Sequence, residues 1–319
     1  MRILILGGTT LTGRYAVRRF HALGHDVAVF HRGQHEAEFP VGVRNIHGDF
    51  THLPRETFDP EPDVVVHMWA MTEKDAESFV NGFRGLASRA VVISSGDVYR
   101  AYGRLTRLES GPPDPIPLTE DAPLRESRYP YRNLAPAPDH WMAQYDKLLV
   151  ERVVTHQTDL PTSVLRFPAV VGPNEYRRFQ RWLQPMLRGE TELRIEHRWA
   201  GWRWTHGFAE DVAEAVVLAA TNSSSVGRIY NVGEARTPTM GERLEELAQV
   251  ARWRGQILEV PASELAEKDR LAHDFAHHIA YDTTRIRTEL GYKEVLPREV
   301  ALVRTLEYEN ETLEWEKET

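Results

Sequence analysis

Met1-Arg-Ile-Leu-Ile-Leu-Gly7-Gly8-Thr9-Thr10-Leu11-Thr12-Gly13-Arg14 opens the chain, an apolar strand running straight into a glycine-rich turn. Such a turn lets backbone N–H groups approach a pyrophosphate, and the helix that follows adds the positive end of its dipole. Gly7 suits the tight turn and Gly13 lets the helix lie close to the sheet; Thr10 stands at the middle glycine position and crowds one backbone approach. Residues 14–23 read as a helix with Ala16, Val17, Phe20 and Leu23 on one face. Gly24 closes it, and Asp26-Val-Ala-Val-Phe-His-Arg32 is the next strand. In a dinucleotide unit the end of this strand faces the adenosine ribose, where an acid suits the 2′-hydroxyl of NAD and an arginine the 2′-phosphate of NADP. The chain offers His31-Arg32-Gly33 with no carboxylate before Glu36, and Arg14 is a second cation. The sequence therefore predicts NADP(H) in preference to NAD(H).

Further apolar runs follow at 43–46, 63–67, 89–94 and 161–166, with helical stretches between them. Near-continuous apolar strands are those buried on both faces, so the fold class is α/β, a doubly wound parallel sheet with a smaller C-terminal substrate lobe. Residues 1–168 and about 207–235 are assigned to the dinucleotide-binding domain, and about 169–206 and 236–319 to the substrate lobe. A proline- and glycine-rich passage, from Gly111 to Pro138, is too irregular for an element and is expected to wrap over the cofactor side.

With 319 residues the chain can bury a large core, and with no cysteine it has neither disulfides nor thiol chemistry, as fits a cytoplasmic protein. A net charge of −8 argues against non-specific nucleic-acid binding, and no apolar run reaches membrane-spanning length.

The landmarks Gly7–Gly13, Gly48-Asp49, Val65-Val-His67, Ile93-Ser-Ser-Gly-Asp-Val-Tyr99, Lys147-Leu-Leu-Val-Glu151, Val171-Gly-Pro173, Glu210-Asp-Val212 and Ile229-Tyr-Asn-Val-Gly233 run in order along nearly the whole chain. In them the protein resembles the extended short-chain dehydrogenase/reductases of the NAD-dependent epimerase/dehydratase family. The resemblance implies a cofactor site at Gly7, Thr9, Thr10, Leu11, Thr12, Gly13, Arg14, Arg32, Asp49, Phe50 and Lys147. It also implies catalysis by a Ser or Thr, a Tyr four residues before a Lys, and the nicotinamide. Ser95 and Lys147 match, but the position four before Lys147 is Ala143, and the nearest tyrosine is Tyr145. On a helix, position −4 lies about 40° from the lysine and position −2 about 160° away. The expectation is thus a regular helix over 141–147 that turns Tyr145 from the cofactor. Three alternatives stay open: a bulged helix recruits Tyr145; another group such as Asp97, Tyr129 or Tyr131 replaces it; or the protein binds NADP without turnover, as a sensor or interaction protein.

For the substrate, Trp69, Tyr99, Arg177, Trp202, Trp204 and His206 are the expected contacts, with a pocket lined from Trp69 on one side and Trp202 to His206 on the other. Arginines crowd residues 177–203, and guanidinium forks suit phosphate or carboxylate oxygens. The predicted reaction is oxidation, reduction, epimerisation or dehydration at a hydroxyl or keto carbon of a sugar-like or other small polar molecule, phosphorylated or nucleotide-linked. A homodimer is left open. His273, His277 and His278 have zinc-like spacing but no acidic third ligand at a fixed interval, so no metal is expected.

Overall fold

The computed structural model describes residues 1–50, 58–173 and 178–318. Seven parallel strands form the main sheet: β1 (Arg2–Leu6), β2 (Asp26–His31), β3 (Arg44–His47), β4 (Val64–His67), β5 (Arg89–Ser95), β6 (Thr162–Phe167) and, later in the chain, β10 (Ile229–Asn231). Their spatial order is β3-β2-β1-β4-β5-β6-β10, so the winding reverses between β1 and β4. That reversal opens a crevice at the carboxyl ends of the strands, the place where ligands bind open α/β sheets. Register follows the apolar runs, with Ile3, Leu4, Ile5 and Leu6 facing Val27, Ala28, Val29 and Phe30 on one side and Val64, Val65, Val66 and His67 on the other.

Alternation along these strands sorts the core onto two faces. Ile3, Ile5, Val27, Val29, Val64 and Val66 pack under α1 (Leu11–Ala22). Leu4, Leu6, Ala28 and Val65 pack against Phe79 and Phe83 of α2 (Glu73–Phe83). A short helix α3 (Arg100–Leu105) and then α4 (Lys147–Thr155) follow β5, and Val150 and Val154 of α4 join the second face.

The rest of the chain builds a smaller lobe around paired short strands. β7 (Ala169–Val171) pairs with β9 (His206–Phe208), and β8 (Glu192–Glu196) pairs with β11 (Gln256–Val260). Helices α5 (Gln180–Leu187), α6 (His197–Ala200) and α8 (Met240–Val250) surround a third core centred on Phe179, Leu183, Trp199, Trp202, Leu244 and Leu247. α7 (Ala209–Thr221) returns to the sheet and packs on α1, bringing Val212, Ala213, Val216 and Ala220 to the first face. α9 (Thr284–Leu290) has Thr283 at its N-cap, and Asp282 Oδ1, one residue earlier, accepts the Thr284 N–H at 2.7 Å; α10 (Arg298–Glu318) ends the described chain. No helix among the described residues is long and apolar enough to cross a membrane.

Candidate active site

At the switch point the first turn has the form its glycines require. Gly7 sits at φ +83°, and a Cβ on Gly13 would lie 2.8 Å from the Gly8 backbone. Leu11 is held at φ +33°, a left-handed value that a branched side chain rarely adopts. Thr10 makes no side-chain cap to α1, the first turn of α1 carries no acid, and the buried Thr12 hydroxyl has no hydrogen-bond partner among the described residues. The N–H groups of Gly13 and Arg14 already donate to the Thr10 carbonyl at 2.9 and 3.4 Å, so those of Leu11 and Thr12 are the ones left for an anion. A cavity of about 320 Å³ opens beside the turn, lined by Gly7, Thr9, Thr10, His31, Arg32, Phe50, Trp69 and Trp141. The Arg32 guanidinium lies 5.6 Å from the Phe50 ring centre and 5.9 Å from that of Trp69. Shape and donors fit a dinucleotide.

Two expectations change here. Trp69 belongs to this cavity, packed edge-on against Trp141 at 5.4 Å, and not to a substrate pocket with Trp202. The strand order puts the end of β4 beside the phosphate turn. Arg14 is half-buried and lines no part of the cavity, and Asp49 is exposed beside the lining residue Phe50. Glu36, the nearest acid in sequence, is held by His47 Nε2 at 3.0 Å. Together with His31 these are the His and carboxylate groups whose ligand atoms converge among the described residues, within 4.8 Å of one another; His273, His277 and His278 do not converge.

The larger correction concerns Tyr145. No helix spans 141–147. Residues Trp141–Gln144 make a single 3₁₀ turn, Tyr145 is extended (φ −61°, ψ 123°), and α4 starts at Lys147 with Asp146 as its cap. Asp146 Oδ1 accepts the Leu148 N–H at 3.0 Å, and its other oxygen accepts the Tyr129 N–H at 2.9 Å. The fully buried Arg125 guanidinium closes the same carboxylate at 2.7 Å and donates from Nε to the Asp97 carbonyl at 2.7 Å. Tyr145 also bridges backbone to backbone with Thr72. A helical offset of about 160° therefore does not apply. The Tyr145 hydroxyl donates to Asp97 Oδ2 at 2.6 Å and engages the Ser95 side chain.

Asp97 is the hub. Its Oδ2 also accepts from Tyr131 at 3.3 Å, and Tyr131 exchanges a 2.7 Å hydrogen bond with Tyr102. Burial pushes the Asp97 carboxyl above its ordinary value. Burial, with the Asp97 charge added, pushes the Tyr145 and Tyr131 phenols well up. Lys147 is buried behind Tyr145, its Nζ 5.8 Å from the ring centre, and donates to the carbonyls of Ala70 at 2.7 Å and Ile93 at 3.0 Å. Burial pushes its pKa down to about 8. Tyr129 stays outside, stacked under Arg132 at 3.9 Å.

Beyond Ser95 and Asp97 a second cavity, of about 430 Å³, reaches into the lobe and is lined by Tyr131, Arg178, Trp182, Trp199, Trp202 and Trp204 among others. Trp202 and Trp204 line this cavity; Tyr99 and His206 do not. Tyr99 is fully buried, donating to Asn231 Oδ1 at 2.6 Å and accepting from Arg166 at 3.0 Å, so it ties β5 to β6 and β10. His206 is buried against Phe179 and lines a separate cavity with Asp211 and Arg243. Arg177 lies outside the described residues. Several other arginines of the stretch are engaged by the lobe's own acids: Arg181 with Asp269, Arg194 with Glu264, Arg198 with Asp274 and Arg203 with Glu242. Trp141 and Asp146 escaped the sequence reading, although an aspartate directly before Lys147-Leu-Leu-Val is a helix-start signal.

Known proteins share this fold. None of the curated proteins matches the sequence significantly. Among solved structures, an epimerase of Methanothermobacter thermautotrophicus superposes with a TM-score of 0.72 at 16% identity, covering 100% of this chain and 94% of that one. UDP-glucose 4-epimerase of Thermotoga maritima, with UDP-glucose, gives 0.70 at 19% identity and covers 98% and 100%. MoeE5 in complex with UDP-glucuronic acid and NAD gives 0.68 at 19%, again covering 98% and 100%. At such identities the likeness is one of fold. The profile of the NAD dependent epimerase/dehydratase family matches residues 3–233, which include the phosphate turn, Ser95, Tyr145 and Lys147, and the chain belongs to that family.

Proposed function

We propose that the protein is an NADP(H)-dependent enzyme acting on a hydroxyl or keto carbon held against Ser95, with Tyr145 as its proton donor and acceptor. Bound in the crevice, the nicotinamide supplies or takes the hydride. Ser95 and Tyr145 hold the substrate oxygen between two hydroxyls, which stabilises charge developing on it. Tyr145 transfers the proton, and Asp97, hydrogen-bonded to the same phenol, relays it onward through Tyr131 and Tyr102. Lys147 holds the cofactor ribose, and Arg32 its 2′-phosphate. Oxidation, reduction, epimerisation and dehydration share this first proton-coupled step. The two neighbours that hold UDP-sugars share the fold at 19% identity, which carries no substrate over to this chain; the chemistry itself requires only an alcohol or a ketone.

One observation carries the reading: the Tyr145 hydroxyl reaches the Asp97 carboxylate, two residues from Ser95, despite its shifted place in the sequence. Ala143 therefore ceases to argue for a silent protein. Calorimetry tests the cofactor half. NADPH is expected to bind about tenfold or more tightly than NADH, the worth of one charge-assisted contact of about 1.5–3 kcal/mol, and Arg32→Ala is expected to abolish the difference. Equal affinities in the wild type, or a preference that survives Arg32→Ala, would refute it.

A further inference from the structure

The cavity beyond Ser95 has walls of a particular chemistry. Trp182 and Trp199 stack with ring centres 4.4 Å apart and planes at 19°. Trp202 tilts against Trp204 at 5.2 Å and against Phe275 at 5.6 Å, and Tyr281 and Phe167 complete the lining toward the sheet. The Trp202 indole N–H is already used, donating to the His277 carbonyl at 2.9 Å, so the ring offers a ligand only its hydrocarbon surface. Polar groups concentrate at one end, where Ser95, Asp97, Tyr102 and Tyr131 meet. Among the described lining residues Arg178 is the one Lys or Arg side chain, and its guanidinium lies 4.7 Å from the Trp204 ring centre.

This lining is poorly matched to a nucleoside diphosphate. Taking a diphosphate out of water requires several cations or donors to replace its hydration, and among the described arginines of the stretch Arg181, Arg194, Arg198 and Arg203 are engaged by carboxylates. The Asp97 carboxyl at the cavity's reacting end adds repulsion rather than attraction. A flat ring system, by contrast, gains from each indole face it meets, and a lining with one described cation, Arg178, suits a ligand of little charge. A volume of about 430 Å³ lies in the range of small-molecule sites.

The geometry points to a substrate that is a planar aromatic ketone, aldehyde or alcohol with no more than one negative charge, its oxygen at Ser95 and Tyr145 and its rings among Trp199, Trp202 and Trp204. This rests on the assignment of Ser95 and Tyr145 as the reacting end, and narrows what the remaining volume holds.

Binding to the full chain, titrated calorimetrically with and without saturating NADP+, separates the two. The probes are 2-naphthaldehyde, its alcohol and UDP-glucose. An aromatic probe is expected to bind at least tenfold more tightly than UDP-glucose. Trp204→Ala is expected to weaken it roughly tenfold, while Trp204→Phe stays within about threefold of wild type. Should Trp204→Ala fail to fold, Trp182→Leu is expected to show the same loss, its melting temperature confirming the fold. Equal or tighter binding of UDP-glucose, no binding of either aromatic probe, or an unchanged affinity in a folded Trp204→Ala would overturn the inference. An aromatic probe that binds but is never turned over with NADPH leaves this inference standing and removes the reaction assigned to Tyr145.

Discussion

At the scale of single residues, Tyr145 and Lys147 divide the work that the sequence spacing puts in question. Tyr145 points at Ser95 and Asp97, while Lys147 stands behind it with its ammonium on two backbone carbonyls. For Tyr145→Phe the hydroxyl disappears but the packing against Tyr131 and Trp141 remains. Turnover should fall by about 10²–10⁴-fold, the range for a positioned acid or base, with NADP(H) affinity within about threefold of wild type. Steady-state rates and calorimetry on the same preparation check this. For Lys147 the prediction is one of pH. Its folded value of about 8 lies below the ordinary 10.5, so the unfolded chain binds more protons between those limits. The burial cost is therefore full below pH 8 and relieved above it. Denaturant titrations should show wild type gaining stability relative to Lys147→Met as pH rises from about 8 toward 10.5, with a flat difference below 8. Over the same range NADP(H) affinity should fall in wild type as the ammonium is lost, and stay flat in the variant.

At the scale of elements, the start of α4 decides the site, and Asp146 decides the start. A helix continued back to residue 141 would turn Tyr145 away; an aspartate cap gripped by Arg125 stops it two residues after the tyrosine. The buried Arg166–Glu151 pair fixes α4 to β6 in turn, with Ser94 also donating to Glu151 at 2.6 Å. Arg166→Met would leave Glu151 buried and unpaired, and should cost about 3–5 kcal/mol in denaturant unfolding. The exposed Arg228–Glu289 pair offers the comparison: Arg228→Ala should leave the denaturant midpoint close to that of wild type. Much of this level was legible in advance. The apolar runs became strands β1 to β6 within a residue or two, and the glycine turn took the shape its spacing implies. The course of residues 125–146 was not legible, because it depends on a buried arginine meeting an aspartate 21 residues away. The cap itself, Asp146 directly before Lys147-Leu-Leu-Val, is a local signal, and a helix carried back from Lys147 by the family spacing runs through it.

At the scale of the whole molecule, two cavities flank the Ser95–Asp97–Tyr145 cluster: the dinucleotide crevice at the switch point of the sheet, and the tryptophan-lined space of the lobe. The strand order explains why Trp69 fell to the first and Trp204 to the second, a division invisible in sequence because both are simply tryptophans near strand ends. The lobe's arginines read as phosphate ligands for a similar reason: the acids that pair with them come from as far as residues 264–274, beyond the reach of any local pattern.

The claim on which the account turns is that a tyrosine in the wrong place by sequence occupies the right place in space. A crystal structure of the protein with NADP+ measures this directly. The account predicts the nicotinamide C4 beside Ser95, with the Tyr145 and Ser95 hydroxyls converging on one point, so placed that a carbon bonded to an oxygen there would lie about 3–3.5 Å from C4, the separation of a near-attack geometry. A nicotinamide seated elsewhere, or a Tyr145 hydroxyl turned away from that point while Asp97 alone faces C4, would contradict it.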